Sequence, residues 1–370
     1  MKKVLFLSSD MFFKGGLQRY ARYEYKALRE IMGEENVFSF SLNGKDGNSF
    51  EEEVSVNFVP RGGGVLRKID FTLQAIKFMR QKKIDLLIIN LINLSSIGLL
   101  AKSVLGINYI VNVYGFETWG FLNSFRKISL KYADKIIGDC NFILNYCKGA
   151  LGVDKDKIFL LHDCVDVDRF KPAPKKVQLM EKYGRPESKF IILTVGRVDD
   201  GYKGHELVIR ALKELPEHIV YVIVGGGRLV SYLKSLVKDM NLESRVTFTG
   251  RVKEEELVDF YRMADLFVLV TRLGKYEGEG LPLTPIEAAA CGKPILVGDE
   301  DGSVDAVEEG KNGFIVSPRN LDELVERIKL LYRDENLRLR MGNYGREKVK
   351  RDFAYEKYKE TLKDILGVSE

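Results

Sequence analysis

Two doubly wound α/β domains, each built on a largely parallel sheet, are predicted from three observations. The chain has 370 residues, 45% of them apolar. A single hydrophobic core stops growing below that length, so two domains of roughly 150 to 200 residues are expected. Apolar runs of about four to eight residues alternate with longer amphipathic stretches, as in parallel sheets whose strands are buried on both faces and joined by helices. After a Pro- and Lys-rich segment the same pattern starts again.

In the first half, residues 4–7, 37–42, 54–59, 85–91, 109–113, 135–138 and 158–161 read as strands. In the second half, residues 190–195, 219–224, 246–248, 265–270, 295–297 and 314–316 read the same way. Between the halves, Lys171-Pro172-Ala173-Pro174-Lys175-Lys176 has linker composition. This places a hinge within 167–188 and the two domains at 1–170 and 185–351. No short internal repeat and no low-complexity segment interrupts the pattern.

Composition excludes several classes. No run of about 18 residues is apolar without a charge or a breaker, and Met1-Lys2-Lys3 leads directly into a strand rather than a signal peptide. An intracellular, cytoplasmic protein is expected. Cys140, Cys147, Cys164 and Cys291 have neither zinc-ligand spacing nor the density of a disulfide scaffold, and read as reduced thiols. His162, His205 and His218 form no metal cluster. No Gly-x-Ser-x-Gly elbow, Walker loop or Gly-x-Gly-x-x-Gly is present, which argues against that type of hydrolase, a P-loop ATPase and a dinucleotide oxidoreductase. Net charge is +5, with cations gathered at 61–83 and 126–131 among Phe71, Phe78, Phe121 and Phe125. That patch suits an anionic membrane or a phosphorylated acceptor, and equally the solvated faces of ordinary helices. No nucleic-acid partner is expected.

In parallel sheets the binding loops lie at the carboxyl ends of the strands, and every candidate motif falls there. Gly15-Gly16 precedes the helical stretch 17–28, either as a tight turn or as an anion cradle of free N–H groups. Gly196 to Leu212, G-R-V-D-D-G-Y-K-G-H-E-L-V-I-R-A-L, follows the run 190–195. Gly225-Gly226-Gly227 follows 219–224. Glu279 to Ile295, E-G-L-P-L-T-P-I-E-A-A-A-C-G-K-P-I, places two carboxylates with seven residues between them across a loop and a helix start. Thr284 reads as that helix's cap and Pro285 as its first residue, with Gly292 and Pro294 ending it. On that reading Glu287 either closes a capping box or serves a ligand.

Together with D-A-V-E-E-G-K-N-G-F-I-V at 305–316, these motifs in this order resemble the retaining glycosyltransferases of family four. The likeness runs through nearly the whole chain and is strongest over 189–316. It implies the GT-B fold, two Rossmann-like domains facing across a cleft, with a last helix, residues 352–366, packing back on the first domain. By the same resemblance Arg197 and Lys203 would hold the diphosphate of a nucleoside diphosphate sugar, Glu279 would contact the donor sugar, and Glu287 the ribose. Gly15, Gly16, Gly196, Gly225, Gly226, Gly280, Leu281 and Pro282 would line the donor. A glycosidase pair is disfavoured, because a rise of ~1.5 Å per residue would leave the two carboxylates ~12 Å apart.

The segment 109–119, Y-I-V-N-V-Y-G-F-E-T-W, resembles the family's His-Gly-x-Glu region with Tyr114 in place of the histidine. A tyrosine can share a hydrogen bond there but cannot become cationic near neutral pH. Glu117 reads as an acceptor-orienting group or a surface charge, and Trp119 as a cleft wall, a core residue or a sugar-stacking platform. Asp166-Val167-Asp168 mimics a metal motif of another fold but lies at the domain junction, and no metal or other cofactor is expected. The resemblance thus implies a retaining, metal-independent hexosyltransferase with a glycan or lipid-linked acceptor, and the basic first half favours work at the inner face of the membrane. The alternatives are a nucleotide-sugar epimerase and a nucleotide-sugar-binding protein with lost catalysis.

Overall fold

The computed structural model describes residues 2–13, 15–44, 56–61, 63–115, 122, 124–183, 189–199, 201–274 and 278–368. The chain divides into two compact units, residues 1–164 with 355–370, and residues 165–354.

The first unit is a six-stranded parallel sheet in the order β2-β1-β3-β4-β5-β6. Its strands are β1 (Val4–Asp10), β2 (Val37–Asn43), β3 (Leu86–Ile89), β4 (Asn108–Val113), β5 (Lys135–Gly138) and β6 (Ile158–Leu160). The connecting helices are α1 (Gly16–Met32), α2 (Gly64–Lys82), α3 (Ser95–Leu105), α4 (Ser124–Tyr132) and α5 (Asn141–Gly149). The run expected as a strand at 54–59 is not one over its described residues. Phe58 makes only an isolated bridge to Phe40, because the Asn57 side chain takes the Ser39 N–H at 2.8 Å and Pro60 ends any ladder.

The second unit repeats the plan with the order β12-β11-β10-β7-β8-β9, again all parallel. Its elements are α6 (Val177–Lys182), β7 (Phe190–Val195), α7 (His205–Ala211), β8 (Ile219–Val224), α8 (Val230–Asp239), β9 (Val246–Gly250), α9 (Glu254–Met263), β10 (Leu266–Leu269), α10 (Leu283–Ala290), β11 (Ile295–Gly298), β12 (Gly313–Val316), α11 (Leu321–Arg333) and α12 (Glu335–Asp352). Every residue of β7, β8, β10 and β11 is buried, as the continuous apolar runs require. The segment of linker composition is tied to this unit. Arg346 donates to the Phe170 and Val167 carbonyls at 2.6 and 2.8 Å, and Lys175 pairs with Asp265 at 2.8 Å.

The last helix, α13 (Tyr355–Leu366), begins after a break at Phe353, which caps α12. It belongs to the first unit, where it packs beside α1: the Tyr23 and Tyr355 rings lie 5.9 Å apart, Lys359 pairs with Glu30 at 3.0 Å, and Tyr358, Leu362 and Ile365 enter the core with Phe6, Tyr25 and Leu28. Leu362 is fully buried there. Leu362→Ala is therefore expected to destabilise the first unit by about 2–5 kcal/mol, read in a denaturant melt. A loss well below that range would mean that α13 is only loosely held.

Candidate functional site

In open parallel sheets, ligands bind outside the carboxyl ends of the strands where the strand order reverses. In the second unit this point lies between β7 and β10, since β8 and β9 run out on one side and β11 and β12 on the other. The loops after β7 and β10 carry Arg197, Lys203 and Glu279.

Backbone approach is what brings them together. Gly204 has φ +75°, and a Cβ there would lie 2.2 Å from the Val270 carbonyl oxygen. Only glycine lets the loop after β7 fold against the end of β10 at that point. The Arg272 N–H then donates to the Tyr202 carbonyl at 2.8 Å. Lys203 consequently donates to Glu279 Oε1 in a close ion pair, and the Tyr202 hydroxyl donates to the same oxygen at 2.8 Å. The Lys203 side chain is 10% exposed and that of Glu279 23%. Burial pushes the Glu279 carboxyl up, but the Lys203 charge, hydrogen bonds from Lys203 and Tyr202, and the Arg197 charge hold it below its ordinary value. Gly196 lies directly against the Lys203 chain, 3.3 Å from its Cδ in Cβ terms.

The glycine run after β8 serves the same packing. Gly225 has φ +140°, and a Cβ on it would fall 1.8 Å from the Gly196 carbonyl oxygen. The Val198 N–H donates to the Gly226 carbonyl at 3.0 Å. The approach seen at Gly225 is thus that of one loop to another.

Glu287 does not close a capping box. α10 begins at Leu283 with Pro282 as its cap, and no side chain caps it, so Thr284 and Pro285 are the second and third helical residues. Pro282, Gly280 and Leu281 form the run from Glu279 into that helix. Glu287 is buried, and the Tyr261 hydroxyl donates to its Oε2 at 2.6 Å.

Two groups near this site were missed in the sequence. Asp301, fully buried after β11, accepts from the Thr271 hydroxyl and from the Ser303 N–H at 2.9 Å. Burial pushes its carboxyl up to about 7 against those hydrogen bonds, and the Glu279 charge adds to the rise. His205, read from the sequence as part of no metal cluster, is fixed by a relay. Thr194 donates to the Val268 carbonyl, Tyr221 donates to Thr194 at 2.8 Å, and the His205 Nδ1–H is therefore left to donate to Tyr221 at 3.1 Å. Burial and then the Lys203 charge push His205 down to about 4, so it is neutral near pH 7.

Gly15, Gly16 and Tyr114 lie in the first unit. Gly15 caps α1 and Gly16 opens it, with no side chain capping and no acid in the first turn. Tyr114 is buried: its hydroxyl accepts from Asn90 at 2.9 Å and from Asn112 at 3.1 Å, and its ring stacks on Tyr20 at 5.8 Å. Both asparagines also donate to Glu24 Oε2, at 3.2 and 2.6 Å. Burial pushes Glu24 up to about 7 against those two bonds. The clue to this network was an Asn inside the apolar run 109–113. Glu117 and Trp119 lie outside the described residues.

Comparison with known proteins follows the two units. The description "Glycosyltransferase Family 4" matches residues 14–169, and "Glycosyl transferases group 1" matches residues 175–348. A GDP-mannose-dependent alpha-(1-6)-phosphatidylinositol monomannoside mannosyltransferase of Mycobacterium tuberculosis is 31% identical over 55% of this chain and 54% of its own length. The chain thus spans about half the length of that relative. A UDP-Gal:alpha-D-GlcNAc-diphosphoundecaprenol alpha-1,3-galactosyltransferase of Escherichia coli is 25% identical over 95% of this chain and 93% of its own. Among solved structures, HepE of Anabaena in complex with UDP superposes with a TM-score of 0.81 over 99% of each chain at 17% identity, a likeness of fold.

Glu24 and Asp301 put a testable slope on stability. Both are raised above their ordinary values, so the folded chain keeps protons that the unfolded chain releases between about pH 4 and pH 7. Their contribution is greatest on the acid side of that window and is lost as pH rises through 7. Tm is expected to fall from about pH 5 to about pH 8, and to fall less steeply in the double variant Glu24→Gln, Asp301→Asn. An unchanged slope in that variant would assign the effect to other groups.

Proposed function

The chain belongs to the family-four glycosyltransferases of the GT-B fold, and on that premise we propose that it moves a hexose-type sugar from a nucleoside diphosphate sugar to a hydroxyl of a glycan or lipid-linked acceptor, with retention and without a metal ion. The observation that carries this reading is the meeting of Lys203, Tyr202 and Glu279, with the Arg197 charge acting on the same carboxylate, at the strand-order reversal between β7 and β10.

The chemistry follows from charge. When the bond between the anomeric carbon and the diphosphate oxygen breaks, its electron pair leaves with the diphosphate. Cations at Lys203 and Arg197 oppose that growing charge and so favour the transition state over the bound donor. They supply the stabilisation a metal ion supplies elsewhere, Arg as a planar fork and Lys as a point charge. The acceptor oxygen bonds to the anomeric carbon on the face the diphosphate leaves, and its proton passes to the departing diphosphate.

Glu279 has two tasks in this reading. Without donor it holds Lys203 in place, and with donor its ionised carboxylate accepts from the sugar hydroxyls. Gly280 and Leu281 lead the chain into α10, whose first N–H groups suit a phosphate. Gly196, Gly225 and Gly226 bring the loops after β7 and β8 to the same end of the sheet. Glu287 takes the ribose beside its bond from Tyr261. For Tyr114, the hold of Asn90 and Asn112 on its hydroxyl favours supporting the loop that follows β4 over reading the sugar.

The two relatives named above act, by their names, on a phosphatidylinositol glycoside and on a diphosphoundecaprenol-linked sugar, which favours a lipid-linked acceptor here. One uses GDP-mannose and the other UDP-Gal, so the donor is proposed as a class. No described helix is long and apolar enough to cross a membrane, and we place the reaction at the cytoplasmic face, with the protein held peripherally.

Turnover of the donor, followed as release of nucleoside diphosphate, tests the reading. Lys203→Ala is expected to lower it by roughly 100-fold, and unchanged turnover would remove Lys203 from the mechanism. Glu287→Gln keeps an oxygen for Tyr261, so Tm is expected to hold while calorimetric affinity for the nucleoside diphosphate falls. The opposite pattern, lost stability with unchanged affinity, would make Glu287 a structural residue.

A further inference from the structure

The positive excess of the chain sits on three consecutive helices of the first unit. α2, α3 and α4 carry nine Lys and Arg against one acid, Asp70. The whole chain is net +5, so everything outside these helices is net −3. The same helices turn apolar side chains outward. On α2, Val65, Leu66, Ile69 and Leu73 are 50–78% exposed and recur at one-turn spacing. Leu100 and Val104 do the same on α3, and Phe125, Ile128 and Tyr132 on α4.

These side chains are not the core faces of the helices. Phe71, Ala75 and Met79 of α2, Ile97 and Ala101 of α3, and Leu130 of α4 are the ones buried in the unit. Each helix is therefore apolar on two faces, whereas a helix that simply covers a core has a polar outer face. α2 packs beside α3, and α3 beside α4, so the outward stripes adjoin. Between α2 and α3 runs a groove of about 410 Å³, lined by Leu73, Ile76, Leu100 and Val104 together with Lys77 and Arg80.

Adjoining exposed apolar stripes of this kind mark an interaction surface. Charge selects the occupant. A second copy seated through the same faces would set one excess of eight positive charges against another. An extended surface of negative charge with an apolar interior complements both features at once. We propose that the outer faces of α2, α3 and α4 form a docking surface for an anionic lipid bilayer, with Leu66, Leu73, Val104 and Phe125 entering the headgroup boundary and Lys68, Lys77, Arg80 and Lys127 meeting lipid phosphates. The proposal extends the lipid-linked reading of the acceptor and draws its purpose from it, but the contact itself needs no catalysis.

Flotation of the full chain with phosphatidylcholine vesicles, with and without phosphatidylglycerol, tests it. The chain is expected to float with the anionic vesicles and to be released by salt. The triple variant Lys68→Gln, Lys77→Gln, Arg80→Gln should partition roughly 100-fold more weakly, and Val65→Ser, Leu66→Ser, Leu73→Ser should also release the protein. Both sets alter exposed side chains, so Tm and nucleoside diphosphate affinity should stay at parental values. No flotation, equal flotation with neutral vesicles, or unchanged flotation of both variants overturns the proposal. A lipid-free dimer abolished by the serine variant overturns it in favour of a second copy. Flotation without transfer to a lipid-linked acceptor supports the docking surface and counts only against the acceptor reading, whereas transfer to a lipid-linked acceptor without flotation overturns the docking surface and leaves the acceptor reading standing.

Discussion

The close approach of the loop after β7 to the end of β10 is the constraint on which the candidate site depends. With Gly204 against the Val270 carbonyl, Tyr202 and Lys203 are delivered to the loop that starts at Thr271, and Glu279 meets them. A side chain at position 204 would have to displace backbone rather than a mobile group, so the ion pair is a consequence of a backbone contact and not its cause. The same economy recurs one strand away, where Gly225 lets the loop after β8 close on Gly196. Three strand ends are in this way drawn into one polar surface at the reversal of strand order.

Electrostatics then separates two carboxylates that burial alone would treat alike. Desolvation is the largest influence on both Glu279 and Asp301. Glu279 escapes it because Lys203, Tyr202 and Arg197 face it, and it remains an anion. Asp301 has hydrogen bonds from Thr271 and Ser303 but no facing cation among those influences, feels the Glu279 charge as well, and is pushed up to about 7. Adding a second full negative charge beside Glu279 would weaken the region's positive balance, which a departing diphosphate requires. A carboxyl pushed up to about 7 by burial carries that charge only in part near neutral pH and avoids much of that cost.

The fold was legible in the sequence because buried parallel strands leave continuous apolar runs, and both sheets appear where those runs stand. The run at 54–59 misled because Asn57 spends its side chain on the Ser39 N–H, a contact across 18 residues that periodicity does not register. The start of α10 misled for a local reason: Thr284-Pro285 suits a cap, but Pro282 is already extended at φ −69°, ψ 134° and the helix begins directly after it. Lys203 and Glu279 could each be picked out by motif. That they touch could not be read, since it follows from a backbone approach between segments 66 residues apart at Gly204 and Val270. Glu24, Asn90 and Asn112 left a fainter trace, single polar residues within apolar patterns, and their partners lie 66 and 88 residues away.

The first unit has its own asymmetry of burial and charge. On its inner side, Glu24 is fully buried with two asparagines as donors and, among the described residues, no cation as a hydrogen-bond partner. On its outer side, α2 and α4 carry cations in excess and apolar groups in water. A chain selected only for stability would lose little by exchanging the outward Leu66, Leu73 and Phe125 for polar residues, since these make no part of the core, and would gain solubility. Exposed apolar groups and an excess of cations on the same faces are each unfavourable in isolation. Their coincidence on three neighbouring helices is economical only if one partner satisfies both, and a surface whose charge lies above an apolar layer is such a partner.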